Sequence, residues 1–379
     1  MLTRRAIMLG ALGLVGGCAA TATESPAPRP LGFSPPLAPR GERLRLAPVH
    51  VSEDRVTRVV AGLRPYRPSG FMVRAEPLGD KRLVHNYGHG GGGVTLSWGT
   101  AEMAVDKGFA GPDRDYAVLG CGAVGLATAR LLQRRGGRVT IYAERLPPET
   151  TSNIAGGQWW PDSVHDPAVV SAAQLQTHRQ AAQLAHKHWQ TMLGDHYGVR
   201  WTRNYAVGER VRRGQVGDDD PLRPLAAEVR MLEPGEHPFT GLQVRQYDTM
   251  MVEPPIYLQA VLEDFLTAGG RLRVRRFASP AEVAALPEPV VFNCTGLGAR
   301  ALFADQELIP VKGVLVVLLP QPEVTYNVLG GGGYMFPRRD GVLLGGTFDR
   351  GDWTLEPEPD QVARILREHK ALFDRLAVA

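Results

Sequence analysis

Six residues near position 120 carry the clearest chemical signal in this chain. Gly120-Cys121-Gly122-Ala123-Val124-Gly125 spaces its glycines as G-x-G-x-x-G. Gly120 permits a tight turn, Gly122 lets main chain approach a pyrophosphate, and Gly125 lets a helix pack closely on a strand. The helix that follows would turn its N-terminus to the phosphates. Glu144 follows about 20 positions on, where an acidic side chain accepts hydrogen bonds from ribose hydroxyls. The unit points to a dinucleotide and by itself does not separate NAD from FAD. A second polar run, Thr150-Thr151-Ser152, leads into the pair Gly156-Gly157. It reads equally as a grip on the second half of a pyrophosphate or as an ordinary polar loop. His85 and His89 have the i, i+4 spacing of metal ligands, but they sit in a glycine-rich loop with no third ligand nearby, so no metal site is expected. Cys121 and Cys294 lie in separate strand-end loops, and neither spacing fits a metal or a disulfide framework.

These residues need elements to hold them. Residues 116–119 form a short apolar strand, 126–135 place Leu126, Ala129 and Leu132 on one helical face, and 138–142 form a second strand. The result is a βαβ unit around the glycines. Farther on, helices are predicted over 169–193, 257–268 and 359–376, and strands over 271–275, 290–293, 314–319 and 342–347. Strands alternate with helices early and cluster late, which predicts an α/β fold: a Rossmann-like parallel-sheet domain plus a mixed or antiparallel-sheet domain.

The chain has 379 residues, enough for two domains sharing an interface, and 44% hydrophobic residues, enough for a sizeable core. The formal net charge is only +4, with Arg scattered along the chain, so nucleic acid is not an expected partner. Thr3-Arg4-Arg5 precedes the apolar run 6–17, which is too short to span a membrane and reads as an export signal over 1–18 of the twin-arginine kind. Val15-Gly16-Gly17-Cys18 fits a lipoprotein cleavage box, with a plain signal peptide as the alternative. Residues 19–47, rich in Pro, Ala and Ser, are expected to be a disordered tether. Envelope localisation follows, with membrane contact only through a lipid anchor.

At this point a family resemblance emerges. The run from Tyr142-Ala143-Glu144-Arg145 to Trp160-Pro161 resembles the FAD-dependent D-amino acid oxidases. So do Asn293-Cys294-Thr295-Gly296, and Gly345-Gly346-Thr347-Phe348 with Gly351-Asp352-Trp353. Arg64-Pro65-Tyr66-Arg67-Pro68 and His85-Asn86-Tyr87-Gly88-His89-Gly90-Gly91 match two further motifs of that family. In the usual family those two close the chain, whereas here they precede the glycine fingerprint. The order implies a circularly permuted D-amino acid oxidase fold, one two-domain unit over 48–379. In it, 48–114 is the family's last part, 115–379 its first, and 109–114 joins the old ends. Chain termini often lie close together on a surface, so the rearrangement is physically acceptable.

The resemblance implies FAD as cofactor. It assigns cofactor contacts to Gly120, Gly122, Ala123, Val124, Gly125, Glu144, Arg145, Thr150, Thr151, Ser152, Gly157, Gln158, Thr295 and Gly296, and to Gly90, Gly92, Gly93, Val94 and Thr95 of the glycine loop. The helix over 95–107 would aim its positive end at the flavin's pyrimidine ring. Arg64 would fork two hydrogen bonds to a substrate carboxylate. Tyr334 would hold the same carboxylate, and the Gly91 carbonyl would face the amino group. A second family tyrosine falls at Gly330, so either Tyr326 replaces it or the role is absent, and Gly330-Gly331-Gly332-Gly333 implies a short or mobile lid. The implied reaction moves the Cα hydrogen of a D-amino acid as hydride to flavin N5. The imine then hydrolyses to a 2-oxo acid and ammonia, and oxygen becomes hydrogen peroxide. Alternatives are a quinone-linked dehydrogenase, an oxidase of a related amine or of D-aspartate, and a non-enzymatic FAD-binding protein. D-Aspartate would need a second cation, for which Arg338 and Arg339 are the nearest in sequence, and strand alternation turns at most one of them inward.

Overall fold

A computed structural model describes residues 41–109, 114–209, 211 and 216–376. The export signal, Cys18 and residues 19–40 of the tether lie outside the described residues, as does most of the 109–114 junction. In chain order the strands are β1 (Val56–Tyr66), β2 (Met72–Leu78), β3 (Lys81–Tyr87), β4 (Asp115–Leu119), β5 (Arg138–Ala143), β6 (Val199–Gly208), β7 (Ala227–Leu232), β8 (Gln243–Val252), β9 (Arg271–Val274), β10 (Val290–Asn293), β11 (Ile309–Leu318), β12 (Tyr326–Gly330), β13 (Gly333–Arg338), β14 (Gly341–Gly345) and β15 (Asp349–Arg350). The helices are α1 (Gly93–Gly108), α2 (Ala123–Arg134), α3 (Thr151–Ile154), α4 (Ala172–Gln190), α5 (Pro254–Thr267), α6 (Pro280–Ala284), α7 (Gly298–Leu302) and α8 (Pro359–Asp374).

The first sheet runs β2-β3-β10-β4-β5-β9, parallel from β3 to β9 with β2 added antiparallel at the edge. Its central strands are continuous apolar runs because both faces are covered: Ala117, Val118, Val291 and Phe292 are fully buried. Helices α1 and α2 pack together against this sheet, and α1 also packs on α4. Thus β3 and α1, which precede the glycine fingerprint in sequence, are built into the sheet that carries it.

The second sheet runs β1-β11-β14-β13-β12-β6-β8-β7, with β15 also paired to β11. Side chains alternate along each strand, so the register fixes which residues share a face. Arg64, Gly62 and Val60 on β1 lie with Gly313, Leu315 and Val317 on β11 and with Gly345 and Leu343 on β14. The row continues through Tyr334 and Phe336 on β13, Leu329 and Asn327 on β12, Asn204 on β6 and Tyr247 on β8. An apolar cluster of Met251, Leu315, Val317, Phe336 and Leu343 gathers Ile154 of α3 onto this face.

The opposite face supplies one correction to the expected tether. Residues 41–47 are packed, not loose: Leu44 is buried, its N–H donates to Glu236 O at 2.9 Å, and Tyr326 Oη donates to Ala47 O at 2.6 Å. Leu44 and Leu46 give this stretch apolar anchors.

Candidate functional site

The glycine fingerprint adopts the geometry its spacing implies. Gly120 has φ +106°, and a Cβ there would lie 2.5 Å from Cys294 O. A Cβ on Gly125 would lie 2.9 Å from the Gly120 carbonyl carbon. Neither position admits a side chain while β4, α2 and the Asn293-Cys294-Thr295-Gly296 turn keep their spacing. Gly122 precedes α2, and the Ala123 N–H donates to Ser152 Oγ at 3.0 Å. The hydroxyl run therefore meets the helix start. Thr150 donates to Asn153 Oδ1 at 2.8 Å at the start of α3, and Thr151 is exposed. Glu144 and Arg145 are exposed just past β5, with Arg276 3.9 Å from the Glu144 carboxylate. Gly157 has φ +101° and pairs with Val252 across the start of Gln158. The glycine cradle at the start of α2 and the exposed acid together fit an adenine dinucleotide such as FAD.

The glycine loop is set by the hydrogen bonding and burial of its histidines. Asn293 Oδ1 is taken by the Thr295 N–H and Oγ1–H, at 3.2 and 2.7 Å. Its Nδ2 therefore donates to His85 Nδ1 at 3.0 Å, which leaves the His85 proton on Nε2 for Glu76, also at 3.0 Å. Burial holds His89 down to about 3 and His178 to about 4, so both rings are neutral at pH 7. His89 stacks on Phe71 and meets Thr100 Oγ1 at 2.9 Å. Among the described residues no group of three metal-binding side chains occurs. Val94 and Thr95 turn their side chains inward, and Thr95 O accepts the indole N–H groups of Trp159 and Trp189 at 3.2 and 2.9 Å. Only main-chain groups at the start of α1 remain to meet a cofactor. Gly90 (φ +54°) and Gly92 are buried, Gly93 is half-buried, and Gly91 is exposed. A Cβ on Gly90 would lie 2.9 Å from the Tyr66 ring, which seats the loop against the end of β1.

Arg64 and Tyr334 converge although distant in sequence. Arg64 Nη1 donates to Thr347 O at 3.1 Å, and its guanidinium lies flat over Gly313, where a Cβ would sit 2.5 Å from Cζ. The Tyr334 ring lies over Gly345, where a Cβ would come within 2.7 Å of Oη, and a Cβ on Gly346 would be 3.3 Å from the same oxygen. The two polar heads thus meet on either side of Gly346-Thr347. Pro65 packs near Gly296, which carries the Thr295-Gly296 turn to the same end.

Three expectations about this end are revised or resolved. Tyr326 does not join the site: alternation sends it to the opposite face, beside Tyr205. The glycine run is no lid, because Gly331 (φ +63°) and Gly332 (φ +91°) are the two central residues of a tight hairpin joining β12 to β13. Both arginines near Tyr334 are engaged. Arg338 is buried against Asp340 and donates to Ala155 O at 2.9 Å, and Arg339 pairs with Asp195 at the surface.

Some contributors escaped sequence reasoning. Phe336 stacks on Tyr334 at 4.4 Å between ring centres. Phe348 stays exposed with Arg64 5.8 Å from its ring. Gly313 and Gly345 form the bare floor under the polar heads, and a glycine inside a strand is the signal that could have marked them. Arg67 is a staple, not a ligand: it binds Asp305 at 2.8 Å, Glu307 at 2.5 Å and Gly70 O at 2.8 Å.

Comparison with known proteins agrees with this geometry. The sequence pattern of the DAO family, described as FAD dependent oxidoreductase, matches residues 14–107 and 115–379. The chain is 34% identical to a D-amino-acid oxidase of Streptomyces coelicolor over 277 residues, covering 70% of this chain and 80% of that one. It is 30% identical to the human D-aspartate oxidase over 268 residues, covering 68% and 75%. Among solved structures, glycine oxidase from Geobacillus kaustophilus superposes with a TM-score of 0.51 at 21% identity, covering 69% of this chain and 78% of that one.

Proposed function

Since this chain belongs to the DAO family of FAD-dependent oxidoreductases, we propose that it oxidises D-amino acids to 2-oxo acids and ammonia, with oxygen reduced to hydrogen peroxide. FAD, when bound, supplies the two-electron oxidant for the Cα–N bond. The observation that supports the reading is the placement of Arg64 and Tyr334 over a glycine floor on one face of the second sheet. The guanidinium has a flat, forked face with which to grip a carboxylate. Tyr334 Oη adds a further donor to that carboxylate. Gly91 offers exposed main chain for the amino group. Orientation is then the protein's main contribution, since a neutral amine provides the electron push and no general base is required. Because Arg338 and Arg339 are both engaged, a neutral side chain suits the site better than that of D-aspartate.

The order of the chain supports a circular permutation: the family pattern matches in two pieces that part at 108–114, and both sheets take strands from each piece. The basic and apolar N-terminus supports export to the cell envelope.

The test is the visible spectrum of the purified protein without oxygen, recorded before and after a mixture of D-amino acids, with the L-mixture as control. Bleaching by the D-mixture alone, followed by oxygen uptake on readmitting air, is the expected result. A flavin unmoved by D-amino acids would refute the substrate class, and bleaching without oxygen uptake would refute oxygen as acceptor.

A further inference from the structure

We infer that the site selects D-amino acids whose side chains carry a hydrogen-bond donor, through the amide oxygen of Gln158; this rests on the proposed oxidation. The argument begins at Asn204, fully buried on the face that bears Arg64 and Tyr334. One end of its amide meets Thr202 O at 2.9 Å and Tyr247 O at 3.3 Å. Main-chain carbonyls only accept, so that end is the NH2 group, which also reaches Thr249 Oγ1 at 3.3 Å. Asn204 Oδ1 must then point the other way, where it meets Asn327 and Gln158, both at 2.8 Å. An oxygen requires donors, so both neighbours turn their NH2 groups toward Asn204. Gln158 Nε2 also donates to Tyr247 Oη at 3.2 Å.

The orientation of one buried amide thereby fixes two others, and each must present its oxygen away from the hub. Asn327 Oδ1 is buried with no partner among the described residues. The Gln158 amide oxygen, at the outer end of the relay, accepts no hydrogen bond among them either, and Gln158 is half-buried. Its place is beside the site. Gly156, two residues earlier, adjoins the Tyr334 and Phe336 rings, where a Cβ would sit 3.2 and 3.1 Å away. Asn327 precedes Val328, the partner of Met335 across β12 and β13, and so shares a face with Phe336. Beyond the aromatic wall next to the carboxylate clamp, the half-buried Gln158 therefore offers an acceptor oxygen whose own donors are committed inward. A hydroxyl, amide or ammonium side chain completes this arrangement. A carboxylate sets oxygen against oxygen, and an isobutyl group leaves the acceptor unsatisfied.

D-Asparagine, D-leucine and D-aspartate are close in shape and differ in this chemistry. In the holoenzyme, kcat/KM for D-asparagine is expected to exceed that for D-leucine by at least about 10-fold and that for D-aspartate by at least about 100-fold. Gln158→Leu should reverse the order of D-asparagine and D-leucine. An equilibrium measurement runs beside it: succinamate, 4-methylpentanoate and succinate, which lack the amino group and are not oxidised, should raise the melting temperature in the order succinamate first and succinate last. Equal handling of D-asparagine and D-leucine, or a ratio untouched by Gln158→Leu, overturns the inference and leaves the D-amino acid reading standing. If Gln158→Leu releases FAD while the unreactive acids bind the unaltered protein without preference, the amide serves the cofactor and the inference is wrong. If no D-amino acid bleaches the flavin yet succinamate binds best, the acceptor-lined subsite stands and the proposed reaction falls.

Discussion

Gly313→Ala is the sharpest perturbation available, because it acts on Arg64 without touching it. The new methyl would sit 2.5 Å from Arg64 Cζ, against the 3.5–4.0 Å or so of ordinary carbon contact. The guanidinium must lift by roughly 1–1.5 Å, and it is the far end of a flexible side chain, so folding should suffer little. The lift carries Nη1 off Thr347 O, now 3.1 Å away, and spoils the two-pronged fit to a carboxylate. A charged hydrogen bond is worth about 1.5–3 kcal/mol, and a misplacement of about 1 Å at a reacting site costs about 100-fold. We expect kcat/KM for D-amino acids to fall by about 100-fold in anaerobic stopped-flow bleaching. Affinity for an unreactive carboxylate should weaken comparably, while FAD content stays full and the melting temperature moves by no more than a few degrees. An active Gly313→Ala enzyme with normal carboxylate affinity would refute the placement of Arg64 over this glycine, and with it the clamp.

Gly125→Ala puts a methyl against the Gly120 carbonyl, which is backbone and cannot step aside, so FAD occupancy of the purified protein should drop severely; full occupancy by absorbance would contradict the cradle. Arg67→Met leaves Asp305 and Glu307 without their shared cation and should cost about 3–5 kcal/mol in denaturant unfolding, with Tyr87 Oη at 2.9 Å and the Glu307 N–H at 3.2 Å as the donors left to Asp305. His89 and His178 have folded pKa values of about 3 and about 4, below the ordinary histidine value of 6.5. The unfolded chain therefore binds more protons in mild acid, and stability present above pH 6.5 is lost as pH falls toward 4, by up to about 1.4 kcal/mol per pH unit for each ring. A melting temperature that is flat from pH 7 to pH 5 would show that these rings are not buried and neutral.

The local framework was legible because periodicity and glycine spacing are properties of neighbouring residues. The strand at 290–293 falls where it was read, and β4, α2 and β5 fall within a few residues. The unusual motif order was legible as well, and the family pattern parts at 108–114. What escaped depends on pairing register. Tyr326 and Tyr334 are both strand tyrosines in one hairpin, and only the odd-or-even count across its turn sends one to the site and the other to Ala47. The bare floor of Gly313 and Gly345 could not be seen before β1, β11, β14 and β13 were set side by side. Nor could the direction of the Gln158 amide, which depends on carbonyls of β6 and β8. Residues 41–47 misled because their composition resembles a linker, whereas a few leucines suffice to anchor them.

The span between Arg64 and its carbonyl partner Thr347, 283 residues apart, also has a bearing on biosynthesis. At roughly 5–20 residues per second, β1 leaves the ribosome some 15–55 s before that partner exists. Until β11 arrives, an eleven-residue strand from Val56 to Tyr66 has nothing to pair with. Arg58, Arg64 and Pro65 interrupt it, and such residues discourage pairing with foreign strand edges. The arginine proposed to grip the substrate would thus double as a guard on the nascent chain, and replacing it with an apolar residue should lower the soluble yield as well as the turnover.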